Sequence, residues 1–228
     1  MSQFLFILMA ILIGGAVIAI AITSYLAEQR RAEELIKISI DLGLNYHPGT
    51  NSDIIDELEF LNILQNGDNR YAKNIFGGIY RDQEILFFDF HYETYTTDNK
   101  GNRSTHHYWH HIALLRFPAF FPELTIGPEN ILTRLGKAFG YPSIDFESHE
   151  FSKTFLVQSE DKKFAYDICN ARAMEYLLSH RDFHIEIERD RYALIFDGRT
   201  DPQSVVQKLD YLIELRALIP DYLFTAAS

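Results

Sequence analysis

The side chains best suited to chemistry lie in residues 106–111, where four histidines surround a tyrosine and a tryptophan. Asp89, His91 and Glu93 come shortly before this segment, and the turn-forming residues 97–102 separate the two stretches. Both stretches have the alternating pattern of strands, so we expect an antiparallel hairpin that brings the acids close to the histidines. Imidazole and carboxylate groups at this density can bind zinc or a similar divalent ion.

The turn of this hairpin decides which side chains share a face. We expect Asp98 to lie opposite Gly101 with two residues between them, which places acids and histidines together on one face. The candidate metal ligands on that face are Asp89, His91, His106 and His110. Residues four apart along a strand are about 13 Å apart, so any one site needs ligands from both strands. Histidine–carboxylate pairing without metal and a simply solvated polar face remain the alternatives.

A second candidate site is apolar. Phe117, Phe120 and Phe121 form an aromatic run that Pro118 and Pro122 interrupt. Apolar side chains left exposed together on a folded domain often mark a contact surface. We therefore expect the domain to bind a partner protein or a small ligand on its sheet face or near residues 117–129, which include this aromatic run.

The chain contains no HExxH, GxSxG or CxxC motif, so no known catalytic signature is present. Cys169 is the only cysteine, which excludes an internal disulfide, and its apolar helical surroundings indicate a buried residue. These observations favour a non-enzymatic binding domain without a cofactor. The alternative is a metal-dependent hydrolase that uses the histidine-rich strand.

The N-terminal segment predicts how the domain is held in the cell. Residues 4–22 contain only Phe, Leu, Ile, Met, Ala, Val and Gly, and residues 2–27 carry no charged side chain. At a rise of about 1.5 Å per residue, the apolar run extends about 28 Å, close to the thickness of a bilayer's hydrocarbon core. A cleaved signal peptide would have a basic start and a shorter apolar run. We predict a transmembrane helix over residues 1–27 that contacts lipid through residues 4–26.

Charge limits the partners and suggests the orientation. The whole formal charge of −11 lies outside the apolar segment, and such an acidic domain is repelled by nucleic-acid phosphates. We therefore exclude DNA and RNA as main partners. Arg30, Arg31 and Lys37 follow the apolar segment, whereas no lysine or arginine precedes it. The positive-inside rule then places the domain of this single-pass protein on the cytoplasmic side of the cell membrane.

Hydrophobic periodicity predicts one α+β domain behind the transmembrane helix. Residues 28–48 read as a juxtamembrane helix and turn, and residues 49–228 as a globular domain without a further boundary. Strand patterns cover 75–80, 85–95, 105–117, 120–126, 153–158, 183–189 and 192–196, with a tight turn at 188–191. Helix patterns cover 52–64, 128–139, 162–179 and 202–218. This order predicts a mainly antiparallel sheet with helices packed mostly on one face.

Three stretches of the chain share patterns with one known family. Residues 74–92 are similar to a glycine-containing strand and a following Phe-Asp strand of that family, and residues 121–129 and 144–157 resemble two further elements. Phe121 replaces a leucine of the family pattern, and Glu150 replaces a proline. The family is a group of uncharacterised bacterial proteins, each with one N-terminal transmembrane helix and a domain of unknown function. The resemblance implies the anchored architecture and implies no activity.

Overall fold

The computed structural model describes residues 2–134 and 141–225, which form a long N-terminal helix followed by a sheet with helices packed against it. The α-helices are α1 (Ser2–Leu42), α2 (Asp53–Glu57), α3 (Glu129–Arg134), α4 (His149–Thr154), α5 (Lys162–Ile168), α6 (Ala171–Ser179), α7 (Val205–Leu218) and α8 (Tyr222–Thr225). The strands are β1 (Asn45–His47), β2 (Asp68–Tyr80), β3 (Gln83–Thr97), β4 (Arg103–Pro128), β5 (Phe155–Ser159) and β6 (Phe183–Asp197). Two short 3-10 helices cover Asn62–Gln65 and Pro202–Ser204.

Helix α1 runs without a break from the apolar segment into the domain. Its 41 residues extend about 60 Å at a rise of about 1.5 Å per residue. From Ile7 to Leu26 its large apolar side chains are exposed, whereas Leu35 is fully buried in the core of the domain. Gly43, at φ +65°, ends the helix in the left-handed conformation that glycine adopts most easily. Among the described residues, this helix is long and apolar enough to cross a membrane.

The described strands form one antiparallel sheet of six. Five of them follow the order β1-β2-β3-β4-β5, and the sixth, β6, pairs with β4. Strand β4 is central because its first half lies between β3 and β6, and its second half lies between β5 and β6. The structure therefore confirms the predicted α+β class with an antiparallel sheet.

Two predicted interruptions of the strands are wrong. The sequence predicts a break at Pro118 and a hairpin turn at residues 188–191, but β4 and β6 are both continuous and pair with each other along most of their length. Where the break is expected, residues 117–120 bulge out opposite Asp190, and Arg189 adopts a left-handed φ of 54°. A bulge accommodates proline and extra residues without ending a strand.

One predicted helix is divided in the structure, and another extends beyond the described residues. The helix expected over residues 162–179 is divided into α5 and α6 at Asn170, whose side-chain oxygen accepts hydrogen bonds from the backbone N–H groups of Arg172 and Ala173. Asn170 is therefore the N-cap of a new helix, because an asparagine side chain bonds the free N–H groups at a helix start and is less favourable inside a helix. The helix predicted for residues 128–139 is present as α3, and its remainder, residues 135–140, lies outside the described residues.

Buried side chains lie on both faces of the sheet. The larger core contains Leu35 of α1, Phe87 of β3 and Leu209 of α7, together with residues of α5 and α6. The smaller core packs Ile55 of α2 and the 3-10 segment that follows it against Phe88 and neighbouring side chains. Most helices therefore cover one face, as predicted, and a short segment between β1 and β2 covers part of the other.

Candidate functional site

The hairpin of β3 and β4 has a register one residue away from the prediction. Three residues separate Asp98 from Asn102, whose carbonyl oxygen accepts a hydrogen bond from the N–H of Asp98 at 3.0 Å. Gly101 takes a φ of +82°, as the third residue of such a turn requires. The predicted turn had two residues, and a shift of one residue exchanges the two faces of a strand. As a result, Glu93 faces His107 and not His106.

The new register brings His91, Glu93 and His107 together on one face of the sheet. Nε2 of His91 lies 3.1 Å from Nδ1 of His107, which in turn lies 3.3 Å from Oε1 of Glu93. The nearly complete burial of His91 lowers the pKa of its imidazole. A hydrogen bond from the side chain of Asn69 lowers the pKa of the Glu93 carboxyl, which keeps it charged at neutral pH.

Only His91 of the four predicted metal ligands belongs to this cluster. His106 lies on the opposite face, where its Nε2 is 2.9 Å from the hydroxyl of Thr96. His110 also lies on that face, stacked on Tyr92 with a centroid distance of 5.8 Å. The predicted set of Asp89, His91, His106 and His110 is thus not brought together, because it depends on the wrong register.

Asp89 instead accepts hydrogen bonds inside the domain, where its side chain is 0% exposed. Its Oδ2 lies 2.6 Å from Nη2 of Arg31 and accepts a hydrogen bond from Asn74 at 2.8 Å. Its Oδ1 accepts from the backbone N–H and the hydroxyl of Thr200, at 2.8 and 2.6 Å. Burial alone would raise the pKa of Asp89, but these donors and the charge of Arg31 outweigh it, so the pKa lies below its ordinary value.

The Asp89 cluster connects α1 to the sheet at the point where the helix enters the domain. Nε of Arg31 also donates to the carbonyl oxygen of Thr200 at 3.0 Å. One turn earlier in α1, Glu28 lies 2.7 Å from Arg199 and 3.7 Å from Lys73. Charged groups from four separate parts of the chain, namely α1, β2, β3 and the segment after β6, therefore fix the direction in which α1 leaves the domain. The sequence offers no local signal for this cluster, because its members are far apart along the chain.

A cleft lies on the face of the sheet that α2 partly covers. Its volume is about 390 Å³, and its floor and walls are formed mainly by Ile54, Leu58, Gly77, Leu86 and Leu114. Gly77 leaves room above Leu86, because a Cβ atom at this position would lie 3.7 Å from the end of the Leu86 side chain, an ordinary contact distance. Ile79, Glu84, Arg116 and Arg191 line its outer end.

The predicted aromatic run is divided between the core and the surface. Phe117 and Phe121 are buried, 5.1 Å apart in an edge-to-face pair, and Phe121 also stacks on Phe164. Phe120 is 73% exposed, because it lies in the β4 bulge and points away from the core. Phe120 lines a second depression of about 570 Å³, which shares Glu84 and Arg116 with the cleft.

We define the docking surface as the cleft, the adjoining depression, and the two exposed apolar side chains beside them, Ile79 and Phe120. Ile79 is 62% exposed. Arg116 lies between the two recesses, with its Nε 2.8 Å from Asp190. Aromatic residues and arginine, such as Phe120 and Arg116, are enriched in protein interfaces relative to the remaining surface.

Comparison with known proteins identifies a structural relative. No family model and no curated protein matches the chain. Among solved structures, the crystal structure of the mycobacterial trehalose monomycolate transport factor A, TtfA, matches with a TM-score of 0.54 and 11% sequence identity. The match covers 84% of this chain and 95% of that chain. At this identity the likeness shows a shared fold, and the resemblance to the uncharacterised bacterial family stays a prediction.

Proposed function

We propose that this protein is a single-pass membrane protein whose domain binds a partner protein through the docking surface and performs no catalysis itself. The observation that carries this proposal is the pair of exposed apolar side chains, Ile79 and Phe120, on either side of recesses that share Arg116. A few side chains, most often aromatic residues and arginine, supply most of the binding energy in protein interfaces.

The construction of α1 supports a role as a membrane-anchored platform. The helix is continuous from its apolar part to Leu42, and Arg31 is bonded to the buried Asp89. A domain joined in this way turns and moves with its membrane helix, so it presents one surface in a fixed direction. We propose that residues 4–26 span the bilayer and that the domain faces the cytoplasm, since Arg30 and Lys37 closely follow the span.

The structural neighbour is compatible with this role. That protein is named a trehalose monomycolate transport factor. By analogy of fold alone, we propose that this chain is an accessory component of a membrane assembly. Mass spectrometry of the co-purified protein would identify the partner in that assembly.

The test is affinity purification of the full-length protein from membranes in mild detergent, followed by mass spectrometry. We expect a partner in stoichiometric amount with the wild-type protein and a loss of about 30-fold in affinity for Phe120→Ser, as for an interface residue worth about 2 kcal/mol. Gly77→Val should have a similar effect, because the new side chain would fill the cleft. The backbone can accept it, since Gly77 does not have a positive φ. Phe121 is unsuitable for the test because it is buried, and its replacement would disturb the core.

Val206→Ser is the matched control. Val206 is an exposed apolar residue of α7, in the helical layer and outside the docking surface. We expect this variant to retain the partner. The proposal fails if no stoichiometric partner is recovered with the wild-type protein, or if the control and the docking-surface variants bind equally well.

A further inference from the structure

The face of the β3–β4 hairpin that carries His91 has the features of a metal site. His91 and Glu93 are two residues apart in β3, so both side chains point to the same face, and His107 lies directly opposite Glu93 in β4. The three candidate ligand atoms all lie within 4.8 Å of one another. Within residues 2–134 and 141–225, this is the group of histidine and acidic side chains that meets this distance requirement.

The spacing of the ligand atoms agrees with coordination by a small divalent ion. The distances are 3.1 Å between the two imidazole nitrogens and 3.3 Å between Nδ1 of His107 and Oε1 of Glu93. Ligands at ~2.0 to 2.2 Å from a tetrahedral zinc ion are separated by about 3.3 to 3.6 Å. Both distances are therefore within a few tenths of an ångström of the zinc range, and the candidate ligand atoms of His91 and Glu93 lie within 4.8 Å of each other.

Surrounding residues orient the candidate ligands. Nδ1 of His91 is 3.3 Å from the carbonyl oxygen of Asn69, a contact that favours the tautomer with a hydrogen on Nδ1 and a free electron pair on Nε2. The side chain of Asn69 donates to Oε1 of Glu93 at 2.8 Å, and the hydroxyl of Tyr95 donates to Oε2 at 3.0 Å. Hydrogen bonds of this kind position metal-binding histidines and carboxylates in proteins.

Asn69 can serve both ligands because of its backbone. It adopts a φ of 49°, in the left-handed region that non-glycine residues enter rarely and asparagine most readily. This conformation directs its carbonyl toward His91 while its amide reaches Glu93. The ring of His91 is held between Tyr71 and Trp109, with centroid distances of 4.5 and 4.7 Å.

The cluster is buried on one side and accessible on the other. His91 is buried, whereas the side chain of His107 is 58% exposed. An ion can therefore enter from solvent past His107, and water can complete its coordination. Two histidines and one carboxylate with an open position form a ligand set that zinc uses in proteins.

We propose that His91, Glu93 and His107 bind one Zn²⁺ ion, with solvent in the remaining position. By the Irving–Williams order, such a site binds Zn²⁺ more tightly than Mn²⁺ or Fe²⁺. The ion would connect β3 to β4 at the start of the exposed part of their hairpin. The site is separate from the docking surface.

The test is isothermal titration of the full-length protein in detergent, purified without a histidine tag and freed of metal by a chelator, with ZnCl₂ as the titrant. We expect one equivalent to bind to the wild-type protein. His107→Ala and Glu93→Gln should each weaken binding by at least ~10-fold, since even the loss of an orienting second-sphere group weakens metal affinity ~10- to 100-fold. Because His107 is exposed, its replacement should leave the fold intact, which the fluorescence of Trp109 can verify.

His106→Ala is the matched control. It removes the neighbouring histidine, which is exposed on the opposite face of the same strand. This variant should bind zinc like the wild-type protein. The proposal is overturned if the wild-type protein binds no zinc, or if His106→Ala weakens binding as much as His107→Ala does.

Discussion

Replacement of Asp89 by asparagine tests whether the buried ion pair holds α1 on the domain. The side chain of Asp89 is 0% exposed and that of Arg31 is 15% exposed. Asparagine keeps the shape of the side chain, but it removes the negative charge and presents an NH₂ group either to the donors of Asn74 and Arg31 or to those of Thr200. Loss of one partner of a buried ion pair costs about 3 to 5 kcal/mol, since the other charge stays buried and unpaired.

The measurement is denaturant-induced unfolding of the full-length protein in mild detergent. Trp109 is the only tryptophan, and it lies in the domain next to His91 and Arg199, so its fluorescence reports the unfolding of this region. We expect Asp89→Asn to lower the free energy of unfolding by about 3 to 5 kcal/mol. Adding Arg31→Met should recover part of this loss, because the unpaired charge is then removed as well.

Glu28→Gln provides the control. The side chain of Glu28 is 44% exposed and also contacts Arg31, at 3.8 Å. An exposed ion pair is worth up to about 1 kcal/mol, so this variant should change stability little. If Asp89→Asn costs less than about 1 kcal/mol, or no more than Glu28→Gln, the buried pair does not have the role assigned to it.

The same pair predicts a dependence on pH. In the folded protein the pKa of Asp89 lies below the ordinary value, which is about 3.9 in unfolded chains. A carboxyl with a lowered pKa contributes its full stabilisation above the unfolded value and loses it as the pH falls through the folded value. Acidification below about pH 4 should therefore destabilise the wild-type protein more than Asp89→Asn.

Three further predictions concern other parts of the domain. Gly67→Ala should destabilise the fold by several kcal/mol, because Gly67 has a φ of +60° and the new Cβ would meet the carbonyl oxygen of Glu93. Gly77→Ala should be nearly neutral, and unfolding curves of the two variants check this difference. Burial lowers the pKa of His111 to about 4. Between about pH 6.5 and 4 only the unfolded chain takes up this proton, so the free energy of unfolding should fall by at most about 3 kcal/mol over this range. An NMR titration of His111 should therefore show no midpoint near pH 6.5. Burial raises the pKa of the Cys169 thiol, so a thiol reagent should label it only after unfolding; fast labelling of the native protein would contradict its position in the core.

The hairpin of β3 and β4 shows where prediction from sequence succeeds and where it stops. Alternating residues identified both strands and their antiparallel pairing, since that pattern depends on local geometry. The predicted register was wrong by one residue, because the turn contains three residues where two were expected. The four predicted metal ligands are therefore not brought together. A signal for the longer turn is present in the sequence, since Gly101 follows Asn99 and Lys100 and suits the left-handed third position.

Phe121 and Arg31 were misjudged for a different reason. Phe121 lies between Phe120 and Pro122 and was predicted to belong to an exposed aromatic run, but it lies in the core and stacks on Phe164. Arg31 counts as a free positive charge under the positive-inside rule, but its charge is paired with Asp89 inside the domain. The predicted orientation therefore depends on Arg30 and Lys37. The burial and the pairing of Arg31 are not visible from its neighbours in the sequence.

The sequence by itself determined the apolar N-terminal helix, the α+β class and the antiparallel sheet, because each depends on the type and period of residues close together in the chain. Only the tertiary structure decided which side chains meet, namely Asp89 with Arg31 and Thr200, and His91 with Glu93 and His107. It also placed Ile79 and Phe120 beside two recesses that share Arg116. These contacts join residues from separate elements, and they change completely when one turn gains a residue or one strand bulges. Pairing across a sheet is a property of the register, and a change of one residue in the turn moves every side chain of a strand to the other face.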